Sequence, residues 1–294
     1  MQFNCFASFC RAAFWTVCLM VLAVPVHAAV SSGVSFLSDF EVDAQRGRWA
    51  YIEVMALNRL IASGAMTNHR KAVAVVDVRP GDNPMSCCIG TERAEVAHMR
   101  AAAGGVLYES AESGTQYFAL SYKFPTDFKT IALNTPKAFQ ILLQLHGPDS
   151  LGSSPALALD IKGGRFALRT NGGDLAQGNH FVERTFFDSS LNPGYWTDLV
   201  MRIKFAADDT GSVTIWRRNE SETRFREVLH LDGIATLQYH SIRKIEPTRH
   251  YWKQGLYRSS AAFRNILWMG PIARANSFAA AERAAFNTKS GMPR

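Results

Sequence analysis

The sequence predicts an all-β fold, a β-jelly-roll sandwich of two antiparallel sheets with a few short decorating helices. Polar and apolar residues alternate in several short segments after residue 100, and tight turns separate these segments. Short strands joined by tight turns are typical of a sandwich or jelly roll. No internal repeat, linker or change of composition marks a second domain, so we expect one domain over residues 29–294.

The alternating segments predict the strands in chain order. They cover residues 117–124, 138–146, 156–162, 165–170, 199–205 and 213–216. Gly163-Gly164 predicts a two-residue hairpin turn, and Asp208–Gly211 predicts a second turn. Apolar residues near helical spacing predict two helices, over Arg48–Ser63 and Ala279–Phe286.

The N-terminus has the pattern of a secretory signal. Arg11 precedes an apolar stretch from Ala12 to Val26, and Val26-His27-Ala28 has the small-residue spacing of a cleavage site. We therefore expect residues 1–28 to be a signal peptide and the mature protein to be periplasmic or extracellular. No later stretch reaches the roughly 20 apolar residues that a spanning helix needs, so we expect no membrane association after cleavage.

Cysteine and charge limit the possible partners. Of five cysteines, only the adjacent pair Cys87-Cys88 follows the signal; it could form a strained disulfide or stay reduced, and we favour the reduced form.

The formal charge of +7 suits a polyanion, and the scattered Lys and Arg residues argue against nucleic acid. No metal-binding motif is present, so we expect no required cofactor; a structural Ca²⁺ is possible. We expect a monomer.

Three distant segments place polar groups at every second residue: Arg93-Ala94-Glu95, Gln144-Leu145-His146 and Tyr251–Tyr257. Side chains at i and i+2 share one face of a strand. The predicted polar face therefore carries Arg93, Glu95, Gln144, His146, Tyr251, Lys253 and Tyr257. The intervening residues point toward the core and include Leu143, Leu145, Trp252 and Leu256.

In this order, the three motifs resemble those of the polysaccharide lyases with a concanavalin A-like jelly roll, a class that contains alginate lyases, glucuronan lyases and heparin lyase I. The resemblance covers roughly Ser35–Ser277. The three motifs look like those of alginate lyases, whereas Val78–Asp82, Pro155–Leu159 and Trp196–Val200 look more like the glucuronan and heparin lyase branch. No Arg closely follows Glu95, which is a departure from the alginate lyase pattern. The resemblance implies a secreted lyase, with the choice between alginate and glucuronan left open.

Such an enzyme removes the C5 proton of a uronate and expels the 4-linked oxygen, which leaves a C4–C5 double bond. Arg93 can pair with the substrate carboxylate and Gln144 can donate to it, so both suit stabilisation of the developing enolate. His146 and Tyr257 are the acid and base candidates. The resemblance implies that Tyr257 protonates the leaving oxygen, while either residue could be the base.

The remaining polar residues have supporting roles in this interpretation. Lys253 could lower the pKa of Tyr257 through its charge. Glu95 holds Arg93 in place, and Tyr251 lines a substrate subsite. His98 and His180 have no assigned role, although the loop that carries His180 could reach over the groove.

Other interpretations stay open for these residues and for the whole chain. His146 could be structural, Arg93 and Glu95 could form only an ion pair, and Tyr257 could be a rim residue. A non-catalytic carbohydrate-binding module would use the same groove without needing His146 and Tyr257 together. A glycoside hydrolase needs two carboxylates beside the cleaved bond, and the sequence has no such strand motif.

Overall fold

Two large antiparallel sheets form the body of the protein in the computed structural model. The structure describes residues 33–40, 47–67, 70–86, 88–132, 134–135, 138–178 and 182–286. The predicted signal peptide, His180 and Cys87 lie outside these residues. The described residues belong to one compact unit.

The strands are listed here in chain order: β1 (Val34–Ser38), β2 (Trp49–Val54), β3 (Leu60–Thr67), β4 (Arg70–Val78), β5 (Thr91–Met99), β6 (Thr115–Lys123), β7 (Gln140–His146), β8 (Leu157–Lys162), β9 (Arg165–Thr170), β10 (Gly173–Asp174), β11 (Val182–Ser190), β12 (Trp196–Lys204), β13 (Gly211–Asn219), β14 (Arg226–Ile234), β15 (Gln238–Tyr239), β16 (Tyr251–Ser259), β17 (Asn265–Met269) and β18 (Ile272–Ala275). Short 3-10 helices cover Leu57–Arg59, Ala111–Ser113, Asp149–Leu151 and Leu175–Gln177, and helix α1 covers Phe278–Phe286.

Strand order separates the two sheets. The nine-stranded sheet runs β14-β13-β12-β6-β17-β4-β3, with β18 beside β6 and β1 beside β18. The seven-stranded sheet runs β11-β9-β8-β7-β16-β5-β2. All pairings within both sheets are antiparallel; β10 and β15 form a separate two-residue parallel pair. The predicted jelly-roll class is confirmed, and all six predicted strands agree with observed strands to within three residues at both ends.

The core lies between the two sheets, as alternation requires. Leu143, Leu145, Trp252 and Leu256 are all buried there, as predicted. The indole of Trp252 stacks on the ring of Phe118 from the opposite sheet, with centroids 4.2 Å apart and planes 8° apart. Helix α1 buries alanines and Phe286 against the other face of the nine-stranded sheet, which confirms the predicted C-terminal helix.

The predicted helix over Arg48–Ser63 is wrong. This segment forms β2, the 3-10 turn Leu57–Arg59 and the first half of β3. β2 pairs with β5 in one sheet and β3 pairs with β4 in the other, so the chain crosses between the sheets here. Its apolar residues therefore belong to different surfaces, and Tyr51, Met55 and Leu57 are exposed.

A bulge in β16 positions the site strands. The register between β16 and β7 shifts by one residue between Gln254 and Tyr257. Gly255 lies in this bulge at φ 152°, and a Cβ there would approach the carbonyl oxygen of Ala94 to 2.1 Å. Glycine is therefore required for the close approach of β16 to β5.

Candidate active site

The predicted polar face forms on three neighbouring strands. β16 lies between β5 and β7, and its residues pair in register with both: Tyr257 with Arg93, Lys253 with Gln144, and Tyr251 with His146. The opposite faces of these strands point into the core. Alternation thus brings all seven predicted site residues to one face of the sheet: Arg93, Glu95, Gln144, His146, Tyr251, Lys253 and Tyr257.

Two cations and two carboxylates form the centre of this face. Glu95 is fully buried; it accepts a hydrogen bond of 2.7 Å from Gln144 Nε2, and its Oε2 lies 3.5 Å from both Arg93 Nη1 and Lys253 Nζ. Glu53, from β2, is closer to both cations. Its Oε2 lies 2.6 Å from Lys253 Nζ and 3.0 Å from Arg93 Nη1.

Burial acts differently on the two carboxylates. Burial opposes ionisation of Glu53, but the charges and hydrogen bonds of Lys253 and Arg93 outweigh it and lower its pKa. Glu95 is more deeply buried and lies beside the Glu53 charge, so its pKa is raised despite the two cations. Burial likewise disfavours the Lys253 ammonium, but Glu95 and Glu53 outweigh this and raise its pKa. The centre thus keeps both cations charged.

The cation nearest to Tyr257 is Arg93. Its guanidinium carbon lies 3.8 Å from the centroid of the Tyr257 ring, an arrangement typical of a cation–π contact. Burial raises the pKa of Tyr257, although Arg93 opposes the shift, so the phenol stays protonated at neutral pH. The prediction that Lys253 lowers this pKa is wrong, because the Lys253 ammonium is directed to Glu53 and Glu95.

Arg93 is itself more constrained than the sequence suggested. Its Nη1 contacts Glu53 and Glu95, so it does not form a simple pair with Glu95 alone. Its Nε is buried and has no hydrogen-bond partner among the described residues. A buried guanidinium with an unused donor can accept a further anion.

His146 has a defined tautomer. Its Nδ1 lies 2.7 Å from the carbonyl oxygen of Gly147, and since a carbonyl can only accept, Nδ1 carries the proton. The lone pair of the neutral ring is therefore on Nε2. Burial lowers the pKa of His146, although the Gly147 hydrogen bond opposes this, so the ring is neutral at pH 7. A neutral imidazole with its lone pair on Nε2 can act as a general base.

Tyr251 links His146 to His98. Its ring lies 5.3 Å from that of His146 and stacks on that of His98 at 3.8 Å, and its hydroxyl donates to Asp149 Oδ1 at 3.1 Å. Burial and the Asp149 charge raise the pKa of Tyr251. Tyr251 is only 7% exposed, so it is a buried partner of His146 rather than an open subsite wall.

The charged centre separates His146 from Tyr257. His146 pairs with Tyr251, six positions before Tyr257 on β16, a distance of up to about 20 Å along a strand. Gln144, Lys253, Glu95 and Arg93 lie between these ends. The two acid and base candidates therefore flank the cations on opposite sides.

Sequence reasoning missed Glu53 and Asp149, and it gave His98 no role. Glu53 pairs with Glu95 across β2 and β5, but it lies in the segment that was predicted as helix. His98 should point to the core by alternation from Ala94 and Val96, but its positive φ of 62° turns its ring toward Tyr251. Asp149 follows β7 closely in a polar turn, and this proximity to His146 was a usable signal.

Within the described ranges, no group of three or more His, Cys, Asp or Glu side chains could hold a metal ion. The possible structural Ca²⁺ therefore stays an expectation. In the same residues, no helix is both long and apolar enough to span a membrane.

Comparison with known sequences points to one family. The sequence model described as polysaccharide lyase matches residues 63–273, a range that contains all seven predicted site residues. Among curated proteins, none matches this sequence.

Solved structures share the fold. The endo-β-1,4-glucuronan lyase from the fungus Trichoderma reesei superposes with a TM-score of 0.59 at 17% identity, covering 84% of this chain and 98% of that one. The marine PL-14 alginate lyase from Aplysia kurodai superposes with a TM-score of 0.50 at 11% identity, covering 84% and 99%. At these identities the likeness concerns the fold.

Proposed function

The chain belongs to the polysaccharide lyase family, and from this premise we propose that it cleaves a uronic-acid-containing polymer by β-elimination. The observation that carries the proposal is the pair of buried cations, Arg93 and Lys253, between a neutral His146 and a protonated Tyr257. A uronate carboxylate needs such cations, because the enolate that forms on C5 deprotonation adds charge beside it.

Glu53 is the group that a substrate carboxylate replaces. Its side chain is 16% exposed, whereas Glu95 is fully enclosed, so an incoming anion reaches the cations from the Glu53 side. The substrate carboxylate then takes over the contacts to Lys253 and Arg93, including the unused Arg93 Nε. Glu95 remains in contact with both cations on the buried side, and Gln144 holds Glu95 through its hydrogen bond.

His146 and Tyr257 divide the proton transfers. His146 Nε2 takes the C5 proton on one side of the bound ring, since Nδ1 is held by the Gly147 carbonyl. Tyr257 is the acid that the resemblance implies, and its raised pKa keeps the proton on the phenol. Because the C5 proton and the leaving oxygen belong to neighbouring atoms of one sugar, the acid has to lie close to the base, and Tyr251, whose ring lies 5.3 Å from that of His146, is therefore the alternative acid. For a uronate with the opposite C5 configuration, the C5 proton faces Tyr257. The residue then acts as base only in its ionised form, after it has lost its own proton to solvent, and it returns the proton taken from C5 to the leaving oxygen.

Glucuronan and alginate are the substrates of choice for a test, since both consist of uronates. We also propose that residues 1–28 direct the chain to the periplasm or the medium, supported by the apolar stretch before Ala28. N-terminal sequencing of the secreted protein should then begin at Ala29.

The decisive assay is ultraviolet absorbance of the unsaturated product on polymannuronate, polyguluronate, glucuronan and heparin. Tyr257→Phe should reduce the rate at least about 100-fold, since it removes a proton donor but keeps the ring on Arg93. Tyr195→Phe is the matched control, because Tyr195 is an exposed tyrosine before β12 of the other sheet. Absence of product from every polymer would refute the proposal. Loss of activity in Tyr251→Phe but not in Tyr257→Phe would reassign the acid to Tyr251.

A further inference from the structure

Aromatic side chains continue from the charged centre toward the edge of the seven-stranded sheet. The ring of His98 stacks on that of Tyr251 and makes edge contacts with Tyr51 at 4.9 Å and Tyr108 at 6.0 Å. We call Tyr51, His98 and Tyr108 the aromatic platform. It joins the last two strands of the sheet to the loop after β5, and Tyr251 connects it to His146.

His98 combines a strained backbone with an unsatisfied ring nitrogen. It adopts φ 62°, which costs a non-glycine residue on the order of 1–2 kcal/mol. Its Nδ1 is buried and lacks a hydrogen-bond partner in the described part of the chain. Burial also lowers its pKa to about 4, so the ring is neutral. Strained residues with unsatisfied polar atoms occur preferentially at ligand sites.

The outer part of the platform is open. Tyr51 is 59% exposed, in contrast to the buried Tyr251 next to it in the row. Exposed Arg249, also at positive φ, lies over the Tyr108 ring with its guanidinium carbon 5.0 Å from the centroid. An exposed aromatic ring and an exposed cation thus lie at the two ends of the platform.

We propose that the aromatic platform and Arg249 form an extended subsite for the uronates adjacent to the residue that is cleaved. One sugar packs a face on Tyr51, and the carboxylate of a sugar over Tyr108, at the other end of the platform, pairs with Arg249. His98 keeps the platform continuous with Tyr251 and His146, so the polymer runs from the catalytic centre to the β2 edge. A polyuronate fits this surface because it carries both apolar ring faces, which pack on tyrosine, and carboxylates, which pair with arginine. It is also the polymer that the adjacent catalytic centre is proposed to bind. The inference rests on the proposed function for its choice of polymer.

Binding is measured by titration calorimetry in the Tyr257→Phe background, so that the polymer is not consumed. Glucuronan and polymannuronate oligomers are the probes. Tyr51→Ala and Arg249→Gln should each weaken binding by about five- to tenfold, as expected for one lost aromatic or charge contact. Arg249→Gln should also reduce the salt dependence of binding. His98→Asn tolerates the positive φ but removes the ring, and it should weaken binding to a similar degree.

The chain offers matched controls for both side chains. Tyr195 is 58% exposed in the turn before β12, and Arg224 is exposed in the turn before β14; both strands belong to the nine-stranded sheet. Tyr195→Ala and Arg224→Gln should leave binding unchanged. In the active background, Tyr51→Ala should raise KM on polymer and retain kcat, a split that a folding defect would not produce.

Each outcome separates the subsite from the chemistry. Equal binding by the platform variants, the controls and their parent overturns the subsite, even if lyase activity is present. Binding that falls only in the platform variants supports it, even if no polymer yields an unsaturated product. A parent that binds neither polymer overturns the subsite as stated.

Discussion

Replacement of Glu53 by Gln should affect stability and binding in opposite directions. The change removes the carboxylate that lies 2.6 Å from Lys253 and 3.0 Å from Arg93. Both cations then share Glu95, with each contact at 3.5 Å. Loss of one partner from a buried ion pair costs roughly 3–5 kcal/mol, but the Gln oxygen keeps one acceptor and the side chain is partly exposed. We expect a loss of about 2 kcal/mol.

In a chain of this size, 2 kcal/mol corresponds to a Tm decrease of about 4–8 °C, which calorimetry resolves. The control is Glu282→Gln, because Glu282 is half-exposed and lies 3.5 Å from Arg218, and it should change stability by less than about 1 kcal/mol. The pKa of Glu53 is lowered in the folded state, so its contribution is present above its unfolded pKa and is lost on acidification. The Tm difference should therefore shrink toward pH 3.

Binding should improve in the same variant. Glu53→Gln removes an anion that competes with the substrate carboxylate, a gain of about 1 kcal/mol or roughly fivefold in Kd. Calorimetric titration of glucuronan oligomers into Glu53→Gln in the Tyr257→Phe background measures this. Weaker binding would refute the reasoning and would mean that Glu53 holds the two cations in position for the substrate.

Three further predictions follow from single residues. Gly255→Ala should lower the free energy of unfolding, measured by denaturant titration, by about 3 kcal/mol or more, because the new Cβ meets the Ala94 carbonyl. The control Gly152→Ala has open space around its Cβ and should lower it only by the strain of a positive φ, about 1–2 kcal/mol. Because the pKa of His146 is lowered, kcat/KM should stay constant as the pH falls through 6.5 and should decrease only under more acidic conditions, where the ring becomes protonated. A kcat/KM that does not change down to pH 3 would exclude His146 as the base. Burial lowers the pKa of His250 to about 3, so on acidification the unfolded state binds a proton before the folded state does. The free energy of unfolding should therefore fall between about pH 6.5 and 3, and denaturant titrations should show a smaller fall for His250→Gln.

The sequence was sufficient for the part of the site on β5, β7 and β16 because strand alternation is a local rule. Arg93, Gln144 and Lys253 fall on one face once β5, β7 and β16 are recognised, and no knowledge of the loops is needed. The order of the three motifs along the chain then leaves only their pairing to be found. The structure supplies this pairing through the register of β16 with both neighbours.

The positions of Glu53 and His98 could not be predicted, because they depend on departures from alternation. Glu53 lies where the chain changes sheets, and the apolar residues on both sides of the crossing imitate a helical pattern. His98 leaves the core face through one positive φ, and no sequence pattern announces such a dihedral. The direction of Lys253 depends on Glu53, so an error in the first placement led to the wrong partner for Tyr257.

The position of the platform on the last strands of the sheet separates two requirements on this protein. The proton-transfer groups are on interior strands whose reverse sides pack in the core, as Trp252 does on Phe118, so a change there disturbs folding and chemistry together. Tyr51 and Arg249 lie on an edge strand and in a loop, where side chains can be exchanged without repacking. Selection for another polymer can therefore start at these two positions in a library that leaves β5, β7 and β16 untouched.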